Sequence, residues 1–114
     1  MKLVDKKIKL DELKKMSLKM FGGLVKTVVD VEKEIMVVDG EMHADEEKYL
    51  LSLGSLQENL WGINLYPDFF GKEEFIEFDS MINIRPRQNN FSRDIENKKI
   101  KEKIIKIVHN LVEK

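Results

Sequence analysis

At 114 residues, 42% apolar and 36% charged, the chain has the length of one domain, 1–114, and enough apolar surface for a core of its own. Disordered and collagen-like classes are therefore excluded. The absence of cysteine removes disulfides, thiolate metal sites, iron–sulfur clusters and thiol nucleophiles together. Basic and acidic side chains nearly cancel, 20 against 21, so net charge selects no partner.

In chain order, residues 2–8 read as a short edge strand. They carry no signal-peptide core or cleavage pattern. Leu10, Leu13, Met16 or Ser17, Met20 and Phe21 recur at helical spacing behind Asp11 and Glu12, and Gly22–Gly23 stop that helix. Val25, Thr27, Val29 and Val31 alternate with polar neighbours as a half-buried strand does. Residues 32–34 turn the chain, and residues 35–38 begin the return strand of a hairpin. That run is the longest apolar one, far short of the roughly 18 residues a membrane helix needs. A cytoplasmic location with no membrane partner is expected.

Residues 44–53 read as a short helix with Asp45, Glu46 and Glu47 in its first turn and Gly54 at its end. Two strands follow, about 58–66 and 75–85, and Arg85–Pro86 stops the second because proline cannot join a ladder. Residues 87–96 are loop. Ile100, Ile104, Ile107, Val108, Leu111 and Val112 then form one helical stripe behind Asn97, a suitable N-cap. The order β-α-β-β-α-β-β-α predicts an α+β fold: an antiparallel sheet of four to five strands with helices packed on one face.

Charge is segregated beneath the neutral total. Residues 30–47 hold eight acidic side chains against Lys33, whereas residues 85–106 hold eight basic ones against three acidic. The chain uses lysine 17 times and arginine three times, at Arg85, Arg87 and Arg93. Guanidinium offers a planar fork suited to carboxylate or phosphate, so this loop is a candidate anion clamp with Phe91 as a stacking surface. The competing reading pins the loop to the domain's own acids. Nucleic acid is not expected, given the net charge of −1 and the acidic stretch. The Lys/Glu/Ile-rich composition, with two glutamines, points to an AT-rich or thermophilic source.

The second hairpin is the most informative segment. An eight-residue connection sets Tyr66 opposite Phe75. Leu65, Ile63 and Trp61 then face Ile76, Phe78 and Ser80 on a core side that continues to Ile82 and Ile84. The other side pairs Asn64 with Glu77, Gly62 with Asp79 and Leu60 with Met81, then runs on to Asn83 and Arg85; Tyr66 and Phe75 share it, and with Leu60 and Met81 they are the residues a second subunit would bury. Glycine in mid-strand marks close approach by a ligand or another backbone. Three readings fit this face: an interface, a solvated ion-pair ladder, or a ligand site. In the last, Glu77 and Asp79 bind a hydrated divalent cation or act as acid and base, Asn64 or Asn83 adds an oxygen, and Arg85 holds an anionic group.

His43 and Asp45 make a second metal candidate at a strand-to-helix junction, against the plainer reading of a helix start. With only His43 and His109 in the chain, a three-histidine zinc site is excluded. Ser92 has no partner histidine at readable spacing, and no Walker loop, GxGxxG, HExxH or EF-hand pattern occurs.

The segments Met42-His43-Ala44-Asp45-Glu46-Glu47, Leu60-Trp61-Gly62-Ile63-Asn64-Leu65-Tyr66-Pro67 and Ile76-Glu77-Phe78-Asp79-Ser80-Met81-Ile82-Asn83-Ile84-Arg85-Pro86 resemble a small prokaryotic family catalogued only as a domain of unknown function. The resemblance implies a stand-alone domain and carries over no catalytic or binding residue. From the residues themselves, the leading expectation is a binding or assembly module that self-associates through the polar–apolar sheet face. The alternative is a small divalent-metal-dependent hydrolase or phosphate/nucleotide-ligand binder. It would use Glu77 and Asp79 as metal or proton carriers, His43 or Asp45 as further metal ligands, and Arg85, Arg87 and Arg93 as the anion clamp. Beyond a divalent metal, no cofactor is expected.

Overall fold

Val25, Thr27 and Val29 point to one side of their strand and Val28 to the other, and all four are buried. Such a strand needs cover on both faces. In the computed structural model, which describes residues 1–114, it is the centre of a five-stranded antiparallel sheet. The elements are β1 (Lys2–Val4), β2 (Ile8–Lys9), α1 (Leu10–Ser17), β3 (Val25–Asp30), β4 (Ile35–Val38), α2 (His43–Ser52), β5 (Leu60–Leu65), β6 (Ile76–Glu77), α3 (Lys98–Leu111) and β7 (Val112–Glu113). The sheet order is β1-β4-β3-β5-β6, and β2 and β7 form a separate parallel pair. The expected first strand is thus two pieces, one on the main sheet's edge and one joined to the chain's end.

The α+β class and strand number match the sequence reading. α1 and α3 bring Leu10, Leu13, Met16, Ile104, Ile107, Val108 and Leu111 onto the sheet face that holds Val4, Met36, Val29, Trp61, Ile63 and Leu65. α2 departs from the expectation that the helices share a face. Its Leu50 packs with Val28, Val37 and Leu60 on the opposite side. These sheet residues are as apolar as those of the first face and need burial equally. α3 starts at its expected cap: Asn97 Oδ1 accepts from the Lys99 and Ile100 N–H groups at 2.9 and 3.2 Å. α1 ends at Ser17 rather than running on to Phe21, which is fully exposed. Its last carbonyls, of Met16 and Ser17, accept tight-turn bonds from Lys19 and Met20. No helix is long and apolar enough to cross a membrane.

The second hairpin has the expected register, with Asn64 opposite Glu77 and Leu65 opposite Ile76. Its second strand, expected across about 75–85, stops at Glu77. Beyond it Ser80 N–H donates to the Arg93 carbonyl at 3.1 Å, and Ser80 Oγ accepts from Ile82 N–H at 3.3 Å to begin a turn. Asn83 then reaches back to β5. Its Oδ1 accepts from Gly62 N–H at 2.8 Å and its Nδ2 donates to the Gly62 carbonyl at 2.9 Å. A side-chain amide has the donor and acceptor of a peptide unit, so Asn83 stands in for the missing strand residue.

Gly62 is glycine because of this approach. A Cβ there would lie 2.6 Å from both Cβ and Oγ of Ser80. The pairs Gly62–Asp79, Trp61–Ser80 and Leu60–Met81 therefore do not form. Ile82 joins the α2 side, and Ile84 is exposed rather than in the core. Leu60 and Phe75, which the self-association reading placed against a second subunit, are buried within the chain, under α2 and in the main core respectively.

Candidate functional site

Because α2 crosses one sheet face and the chain leaves the sheet after β6, an open groove of about 480 Å³ remains between them. His43 from the start of α2, Asn64 and Tyr66 from β5 and its end, Glu77 from β6, and Asp79 and Arg93 from the following loops all line it. Leu24, Met42, Met81 and Ile82 add apolar surface.

Asn64 is the hub. Its Nδ2 donates to Glu77 Oε1 at 2.8 Å and to the Asp79 carbonyl at 3.3 Å. Both partners only accept, which fixes the orientation of the amide. Its Oδ1 then has no donor, although Asn64 is only 7% exposed. Tyr66 OH donates to the same Glu77 Oε1 at 3.0 Å. Arg93 Nε pairs with Asp79 Oδ1 at 2.5 Å, on a half-exposed rim.

His43 Nε2 donates to the Ile63 carbonyl at 2.8 Å. A carbonyl cannot donate, so Nε2 carries the proton and Nδ1 of the neutral ring is an acceptor. Burial, helped by the charge of Lys26, pulls the His43 pKa below its ordinary 6.5, against the opposing pull of the Ile63 bond, Asn64 and Asp79. Burial, then the bond to and charge of Glu77, pushes the Tyr66 phenol above its usual 10.0.

The other candidates lie elsewhere. Asp45 lines a different cavity, of about 780 Å³, with Asp39, Gly40, Glu41, Lys48 and Tyr49. Nowhere do three His, Asp or Glu side chains assemble into a set that could hold a metal ion, so His43, Asp45, Glu77 and Asp79 do not form the ligand group expected of them. Asn83 is buried and engaged with Gly62 and the Arg93 carbonyl. The anion clamp is dispersed. The Arg85 guanidinium lies 4.1 Å over the Trp61 ring and donates to the carbonyls of Leu60 and Gln57. Arg87 is exposed outside the groove. Only Arg93 reaches it. The loop is instead folded on itself by Asn90, whose buried Nδ2 donates to the carbonyls of Asn83 and Asp94 at 2.8 and 2.7 Å.

Sequence reasoning missed Lys26 and Tyr66 as groove residues. Lys26 sits directly opposite Asn64 in the β3–β5 ladder, a pairing visible only once those two distant strands are known to be neighbours. Tyr66 was placed on the correct face, but its bond to Glu77 depends on ring reach rather than on parity.

A second unusual carboxyl lies away from the groove. Glu46 is fully buried on α2, its Oε2 accepts from Gly40 N–H at 2.9 Å, and its Oε1 has no partner. Burial pushes its pKa up to about 9. A Cβ on Gly40 would lie 2.5 Å from Glu46 Cγ, so glycine there makes room for the carboxyl.

The chain belongs to the family described as "Protein of unknown function (DUF5674)", whose model matches residues 2–111. Neither a curated protein nor a solved structure matches it.

Proposed function

We propose that this member of a family of unknown function is a binding module whose ligand is a small polar molecule or group seated in the groove between α2 and the β5–β6 hairpin. The observation that carries the reading is Asn64. Its amide is nine-tenths buried and fixed in orientation by two acceptors, and its oxygen lies beside the His43 ring without a hydrogen bond while that ring is neutral. A buried acceptor without a donor costs about 1–3 kcal/mol, so the amide is held beneath the groove surface by its two bonds to Glu77 and the Asp79 carbonyl rather than by satisfaction of its own oxygen. Polar groups from four separate stretches of sequence converge around it beside an apolar wall, the usual composition of a small-ligand site.

The metal-dependent hydrolase reading has less support because its ligand group is not assembled, and the phosphate reading because two of its three arginines are engaged or remote. Self-association is not needed to bury Leu60 or Phe75.

The test is amide chemical-shift perturbation of the labelled full chain. The panel comprises amino acids, nucleosides, small amines and inorganic phosphate. Shifts from at least one compound should cluster at His43, Asn64, Glu77 and Asp79. A panel that moves no groove amide overturns the reading.

A further inference from the structure

We infer that His43 and Asn64 form a proton-operated clasp between α2 and β5, open while the ring is neutral and closed when Nδ1 takes up a proton and donates to Asn64 Oδ1. The clasp is a property of the chain itself and stands whether or not the groove takes a ligand.

Two neighbouring acceptors carry it. Asn64 Oδ1 is buried without a donor beside the His43 ring. In that ring Nε2 holds its hydrogen on the Ile63 carbonyl, so the neutral form offers a lone pair from Nδ1. Neither side can exchange its atoms to make the bond. Turning the amide would set Oδ1 against Glu77 Oε1 and the Asp79 carbonyl, which both accept from Nδ2. Moving the ring's hydrogen to Nδ1 would leave Nε2 facing the Ile63 carbonyl with no hydrogen between them. A second hydrogen on the ring satisfies both oxygens at once.

The surrounding groups set where the clasp closes. Lys26 of β3 opposes the imidazolium, and Asp79 beyond β6, itself paired with Arg93, favours it. Glu77 of β6 and Tyr66 at the end of β5 line the same groove and are bonded to each other. β4 and the turn at residues 81–83, which also pack on α2, carry no titratable side chain, and the charged residues of α2 itself are Asp45, Glu46, Glu47 and Lys48. Burial outweighs the favourable contacts, so closure comes as pH falls through a midpoint below 6.5. Once closed, the Asn64 amide ties α2, β5 and β6 together.

The experiment is an NMR titration of the isotope-labelled full chain from about pH 8 to about pH 4. The ring should begin as the Nε2–H form, and the Asn64 Cγ and Nδ2 shifts should move with the midpoint read from His43 Cε1. At the acid end the Nδ1 hydrogen should give a resolved signal, since a bonded, buried N–H exchanges slowly. Asn64→Leu, which removes the oxygen and keeps the size, should lower the His43 midpoint by about one pH unit. An Nδ1–H ring at the start, or Asn64 shifts that follow the Glu77 carboxyl instead of His43, overturns the inference. So does a ring that stays neutral until the chain unfolds, or an unchanged midpoint in Asn64→Leu. The wild-type titration decides the matter even if the variant misfolds.

Discussion

Replacing Glu46 by glutamine tests whether a carboxyl is held protonated inside this fold. Glu46 is fully buried, with one oxygen on Gly40 N–H and the other unpartnered. Its pKa is about 9 in the folded chain against an ordinary 4.5. Between those values the folded state keeps the proton and the unfolded chain releases it. The stability this group contributes is therefore fully present below about pH 4.5 and is lost as pH rises towards 9. Each pH unit in that window favours unfolding by about 1.4 kcal/mol, or about 3 kcal/mol by pH 7.

Glutamine is neutral throughout. Its NH₂ would occupy the unpartnered side, which adds a pH-independent cost of about 1–3 kcal/mol. The slope, not the offset, is thus the diagnostic. In urea unfolding, Glu46→Gln should gain on wild type by about 4 kcal/mol from about pH 5 to about pH 8, and the difference should level off above about pH 9. Curves that run parallel over that range would refute a protonated Glu46.

The other predictions concern the β5 edge and the groove. Gly62→Ala should destabilise by about 1–3 kcal/mol, because the new methyl meets Cβ and Oγ of Ser80 rather than a movable side-chain end; thermal melting checks it. Asn83→Ala should cost about 2–4 kcal/mol in urea unfolding, since it strips partners from the Gly62 N–H and carbonyl and from the Arg93 carbonyl. For His43 the folded pKa lies below 6.5, so its stability contribution is present above that value and is lost as pH falls through the window beneath it. Wild type should accordingly lose stability relative to His43→Gln between about pH 7 and about pH 5, and a flat difference would show that the ring is not held neutral.

Much of the groove was legible from parity. Once the eight-residue connection set Tyr66 against Phe75, Asn64 and Glu77 had to meet, and they do. α3 was equally plain up to Leu111, since an apolar stripe and a capping asparagine leave little choice, but the last residue of that stripe, Val112, leaves the helix and pairs with Ile8 in β2–β7. The chain's exit from the sheet after Glu77 was hidden because Phe78, Ser80, Ile82 and Ile84 keep a strand-like alternation. The interactions that win are side chain to backbone, from Ser80 and Asn83, and have no period. The side on which α2 packs was hidden for a related reason. Its buried positions are Leu50 and the carboxyl-bearing Glu46, too few and too mixed to form a stripe. The meeting of His43 with Asn64 follows from that packing, and so does the separation of Asp45 from the groove. The β2–β7 pair joins two-residue segments from opposite ends of the chain, too short for any pattern to announce.

The edge of β5 is fastened by side chains: Asn83 on Gly62, 21 residues away, and Arg85 on the Leu60 carbonyl, 25 residues away. A strand zippered along its length opens progressively, but a fastening of this kind releases in one step when its loop lifts. Hydrogen exchange at the Gly62 amide therefore times the undocking of residues 78–93, separately from the opening of the β3–β5 ladder. While the loop is off, β5 presents bare backbone of the kind that recruits strands from neighbouring molecules. Residues 78–93 thus act as the chain's guard against cross-chain strand addition, and the same residues form one wall of the groove.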